Sequence, residues 1–94
     1  MPPKLIKVVP SKKFTKKYDA HFSDGTKTSF GASGYYDYTQ PPHDKVKREA
    51  YRRRHKDDLD TDDPTRAGFL SYYLLWNKPT LEASIQDYKR MFNM

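Results

Sequence analysis

The stretch Phe69 to Trp76 reads FLSYYLLW and is the longest dense apolar run in the chain. Any fold must be built around it. Asp63-Pro64 just before it predicts a helix start, with Asp63 as N-cap and Pro64 at the first helical position. In that helix Ala67, Leu70 and Leu74 share one face, and Phe69, Tyr73 and Trp76 lie on the next. A helix that is apolar nearly all round belongs at the centre of a domain. Gly68 and Ser71 are small enough to let a neighbour approach closely. Thr80 is placed to cap a further helix over LEASIQDYKRMF, where Leu81, Ile85, Tyr88 and Phe92 recur at helical spacing. The short turn NKPT makes these two helices an antiparallel pair.

Little else in the chain is apolar. Of 94 residues only 35% are hydrophobic, whereas 15% are aromatic and eight are tyrosine. A domain of this length buries only roughly 60–65% of its unfolded surface. The expectation is a thin core built from rings, with room for a partner to complete it. The absence of cysteine excludes disulfides and thiolate zinc sites and fits a reducing compartment. FLSYYLLW is far too short to span a bilayer. MPPKLIKVVP lacks the apolar run of a signal peptide. These features predict a soluble intracellular protein.

The best strand signal is KYDAHFSDGTKTSFG. Tyr18, Ala20 and Phe22 alternate with Lys17, Asp19 and His21. A two-residue Asp-Gly loop would put Phe30 on the wrong face. A three-residue loop, Ser23-Asp24-Gly25 with Gly25 left-handed, pairs Phe22 with Thr26, Ala20 with Thr28 and Tyr18 with Phe30. GASGYYDYTQPP then reads as a loop. HDKVKREAYRRRHK reads as a polar surface helix with a narrow apolar stripe of Val46, Ala50 and Tyr51. The fold class is therefore α+β: an amino-terminal hairpin packed on about three helices, with KLIKVV either a third edge strand or an extended arm. Residues 1–13 are read as a basic Pro/Lys-rich arm and residues 14–94 as one small domain.

Charge is distributed unevenly within the net +6. Residues 1–17 hold six lysines and no acid; residues 45–56 hold seven Lys/Arg; residues 57–63 hold five Asp. The candidate partner-binding cations are Lys4, Lys7, Lys12, Lys13, Lys45, Arg48, Arg52, Arg53 and Arg54. Three consecutive arginines spread over about 300° of a helix, so they cannot all face one duplex. They are expected to divide, with the acidic run neutralising a share.

Other candidate chemistry gives way to plainer readings. Asp58, Asp60 and Asp62 alternate as in a calcium loop. However, Asp63 stands where glycine is needed and Phe69 where a bidentate glutamate is needed. His21, His43 and His55 lack metal-pair spacing, and no nucleophile or base partner accompanies them. Tyr51 and His55, four apart, are placed to stack on one helix face. GASG lacks the lysine of a phosphate-binding loop and reads as a tight turn. No catalytic residue, cofactor, metal or small-molecule substrate is indicated.

The segments KKYDAHF, SFGASGYYDY, YRRRHK and DPTRAGFLSYYLLWNKPTLEASIQDYKRMF, together covering roughly Lys16 to Phe92, resemble a small uncharacterised family encoded by large double-stranded DNA viruses of algae and amoebae. Asp63-Pro64, Ala67-Gly68 and Leu75-Trp76-Asn77-Lys78-Pro79-Thr80 carry the resemblance most specifically. The resemblance brings no activity or cofactor; it implies a viral setting. The reading that follows is a non-enzymatic structural protein of the virion, a minor capsid or cement component that contacts other capsid proteins. It would reside in the host cell before assembly. The alternative is a nucleic-acid-binding accessory protein acting through the arm and the arginine-rich helix.

Overall fold

The computed structural model describes residues 3–94. Strand β2, Lys16–Phe22, and strand β3, Lys27–Ala32, form the expected hairpin. Tyr18 pairs with Phe30 and Ala20 with Thr28, and the Phe22 amide donates to Thr26 O at 2.9 Å. Gly25 takes φ +87°, so Ser23-Asp24-Gly25 is a three-residue loop closed by a left-handed residue. The alternation of β2 fixes this register, because slipping by one residue would turn Ala20 and Phe22 out of the core.

Of the two readings of KLIKVV, the structure takes the edge strand. β1, Leu5–Pro10, pairs antiparallel with β2, and the sheet order is β1-β2-β3. Leu5 is buried in the core, so Leu5–Pro10 belong to the sheet rather than to a detached arm. Residues 1 and 2 of the expected arm lie outside the described residues. Between Leu5 and Lys7 the register breaks, and Ile6 is left 59% exposed. Such a bulge bends the edge strand and spares its extra residue from pairing.

Helix α1 spans Lys45–Arg54, and its N-cap Asp44 accepts from the Val46 and Lys47 amides. The acidic run folds into a single 3₁₀ stretch, Lys56–Thr61, rather than a loose linker. The central helix follows. It begins as α2, Ala67–Leu70, and continues as a π-helical turn over Ser71–Leu75. Helix α3 spans Leu81–Met91, and its N-cap Thr80 accepts from the Ala83 amide. Phe69, near the start of the central helix, meets Phe92 beyond the end of α3, as antiparallel packing requires.

The central helix starts later than Asp63-Pro64 suggests. The Asp63 carboxylate is taken up by Thr65, accepting from its amide at 3.0 Å and its hydroxyl at 2.6 Å. These bonds hold the Asp63 carboxyl below the usual carboxylate range. The Pro64 carbonyl accepts from the Tyr88 hydroxyl at 2.6 Å, and the Thr65 carbonyl from the Thr28 hydroxyl at 2.7 Å. Both carbonyls thus point at α3 and the sheet. Arg66 remains extended, and helical winding begins only at Ala67.

The sheet lays Leu5, Ala20, Phe22 and Phe30 against Leu70, Leu74, Leu75 and Tyr88. Burial raises the Tyr88 hydroxyl well above its ordinary pKa, so the ring stays neutral and donates to Pro64. Gly68 admits the neighbour its size implies: a Cβ there would lie 3.1 Å from the Asp58 side chain.

Leu74 is fully buried at the centre. Leu74→Ala should therefore cost about 2–5 kcal/mol, read as a lower urea midpoint at unchanged slope. A second pair of variants separates strain from crowding. Gly25 and Gly31 both have positive φ, but a Cβ on Gly25 meets nothing within 4 Å, whereas on Gly31 it meets Leu75 Cδ1 at 2.9 Å. Gly25→Ala should cost about 1–2 kcal/mol from its left-handed backbone. Gly31→Ala should cost a further ~1–3 kcal/mol from overpacking. Equal urea midpoints would show that Leu75 yields freely.

A basic, aromatic groove as the candidate functional site

Helix α1 decides which cations reach solvent. Its inner face is not the stripe Val46, Ala50 and Tyr51, because Val46 is 79% exposed. Arg48, Tyr51, Arg52 and His55 face inward instead, at the three- and four-residue steps of one helix side. Arg52 Nη1 donates to the Trp76 carbonyl at 2.9 Å and the Tyr72 carbonyl at 3.4 Å, while its guanidinium lies 4.1 Å from the Tyr72 ring centre. Arg48 Nε donates to the Asn77 carbonyl at 2.9 Å, with its guanidinium over Tyr38. Carbonyls at a helix C-terminus lack intrahelical donors and carry partial negative charge. Arg52 therefore caps the central helix, and Arg48 ties down Asn77 just beyond it.

The basic run is divided, but not as its acidic neighbour suggests. His55 Nδ1 lies 3.0 Å from Asp58, whereas no described salt bridge joins Arg52, Arg53 or Arg54 to residues 57–63. Backbone carbonyls and a tyrosine ring meet Arg52. Arg53 and Arg54 stay exposed. The other named cations, Lys4, Lys7, Lys12, Lys13 and Lys45, are also exposed, but they are scattered. Lys4 and Lys7 lie at or on β1, Lys12 and Lys13 in the β1–β2 turn, and Lys45 at the start of α1.

Between α1 and the loop after β3 runs a groove of about 760 Å³. One wall is Lys47, Ala50, Tyr51, Arg54 and His55; the floor includes Ser71, Leu75 and Trp76; the other wall is the end of β3 at Gly31 and Ala32 with Gly34 to Asp37 of the loop after it. Tyr51 is sandwiched, with its ring 4.1 Å from His55 and 4.6 Å from Trp76. Burial raises its hydroxyl pKa. The loop is held by a partly buried ion pair: Lys17 Nζ donates to Asp37 at 2.7 Å and to Gln40 Oε1 at 2.9 Å. Asp37 also accepts from the Thr39 amide and hydroxyl, and the Tyr38 amide donates to the Leu75 carbonyl. A loop fixed at Asp37 and Tyr38 presents Tyr35 and Tyr36 at the groove, 74% and 70% exposed.

Sequence pattern alone places these two rings in a loop and goes no further. Nothing in GYYDY separates exposed Tyr35 and Tyr36 from buried Tyr38; the Lys17–Asp37 pair, twenty residues apart, does so. Among the described residues no group of three or more His, Asp or Glu is placed to hold a metal ion. No helix among them is long and apolar enough to cross a membrane.

A three-stranded antiparallel sheet carrying short helices, with a cationic groove rimmed by exposed rings, defines a small α+β domain with the features of a binding surface. The chain belongs to DUF5754, a family of unknown function, whose model matches residues 6–55. That span holds the sheet except Leu5, the tyrosine loop and α1, hence both walls of the groove. No curated protein and no solved structure gives a significant match.

The division of the arginines has a measurable signature. Arg52→Ala should destabilise the fold by about 1.5–3 kcal/mol, the range for a charged hydrogen bond. Arg53→Ala, one position along and exposed, should stay within about 0.5 kcal/mol of the parent. Equal effects in thermal unfolding would refute the cap.

Proposed function

We propose that this protein is a non-enzymatic structural component of a large double-stranded DNA virus, a minor capsid or cement-type protein that contacts neighbouring capsid proteins. The observation that supports this reading most directly is the open edge of β1. No described strand pairs with its outer side, and the bulge leaves Ile6 exposed on it. An open edge offers unpaired amide and carbonyl groups to a strand from another chain, and an apolar side chain beside it adds contact area. The inward turn of Arg48 and Arg52 supports the same reading, because it removes two cations from the surface that would otherwise grip phosphates. The viral setting rests on the sequence resemblance, and with it the expectation of a place in the virion and, before assembly, in the infected cell.

The alternative, a nucleic-acid-binding accessory protein, draws support from the exposed rings near the lysine-rich turn. Mass spectrometry of purified particles, with shell and core fractions compared, tests the leading reading. The protein should be recovered with the shell, and Ile6→Arg should reduce that recovery while leaving the unfolding midpoint near that of the parent. Recovery solely outside particles would overturn the assignment.

A further inference from the structure

The β1–β2 turn and the tyrosine loop meet at one end of the sheet. The Ser33 amide donates to the Thr15 carbonyl at 3.1 Å, and Lys16 pairs with Ala32. Phe14 stands at the tip of that turn and is 95% exposed. Three of the chain's exposed large side chains, Phe14, Tyr35 and Tyr36, therefore share this end. Lys12, Lys13 and Lys16 flank Phe14 in sequence, and all three are exposed. Across the groove Lys47 and Arg54 stand on one face of α1, seven residues and so about 10 Å apart.

We infer that this end of the molecule, Phe14, Tyr35 and Tyr36 with the lysines around them, binds single-stranded nucleic acid, whose bases stack on the rings while its phosphates meet the cations. Sequence-tolerant single-strand sites combine a cationic track with aromatic faces. A duplex keeps its bases stacked inside and offers the rings nothing to stack on. This surface is distinct from the open edge of β1 and from the inward-turned arginines, so it stands apart from the capsid contact proposed above. The acidic run meets the groove wall at His55, through Asp58, and not at the lysine-rich turn. Its flanking turn is bonded to Thr28, near the start of β3, whereas the lysine-rich turn lies beside Ala32 and Ser33, at the strand's far end.

The test is fluorescence anisotropy with labelled oligothymidylate and oligouridylate of ~12 nucleotides, within the site sizes of such grooves, against a duplex of equal length. Both single strands, or one of them, should bind at least about tenfold tighter than the duplex. A preference between them reports whether the sugar is read. Phe14→Leu, Tyr35→Leu and Tyr36→Leu retain apolar bulk and remove the ring face. Each should weaken binding by about fivefold or more, the loss of one base–ring stack, with the unfolding midpoint unchanged. Lys12, Lys13 and Lys16 changed together to Gln should flatten the salt dependence by about 0.7 for each phosphate no longer neutralised. Equal affinity for duplex and single strands overturns the inference, as do leucine variants that bind like the parent. Tighter binding to phosphatidylserine vesicles or to polyglutamate than to the oligonucleotides also overturns it.

Discussion

The capping of the central helix by α1 is the interaction on which the rest of the structure depends. The helix of Phe69 to Leu75 is apolar on almost every side, and its last carbonyls need donors. Arg52 and the Tyr38 amide provide them, Arg48 holds the Asn77 carbonyl just beyond, and the two guanidinium groups lie on Tyr38 and Tyr72. This fixes α1 against the core although α1 has no fully buried residue of its own. A narrow apolar stripe would not hold a helix of this polarity. The guanidinium does so because it is planar, permanently charged and weakly hydrated enough to sit against rings. With α1 held there, one wall of the groove is set, and the outward set of cations follows.

The hairpin was legible in the sequence down to its register, because burial on one face of β2 and one glycine leave a single solution. The central helix and its antiparallel partner were legible too, since their periodicity is strong and Thr80 caps as its position implies. The start of the central helix was not. Asp63-Pro64 has the local chemistry of a helix start, but Thr65 takes the carboxylate, and Tyr88 and Thr28 draw the next two carbonyls away. Bonds to residues twenty-four and thirty-seven positions distant decided a local question.

The same limit governs the groove. The lysine-rich turn and the tyrosine loop lie about twenty residues apart, and their meeting depends on the pairing of Lys16 with Ala32. Composition counts the lysines but cannot sort them. Of the arginines in YRRRHK, the one facing carbonyls and the two facing water differ only by rotation about the helix axis. The acidic run looks like their counterweight because it is adjacent in the chain. In space the side-chain contact described between it and the basic segment is that of His55 with Asp58.

The stack at the groove floor has an optical consequence. Trp76 is the chain's sole tryptophan, and it lies face to face with Tyr51, whose other side is covered by His55. Trp76 emission therefore speaks for one place in the structure, where α1, the central helix and the groove come together. Quenching or a spectral shift on adding a binding partner would register at that junction without any attached label.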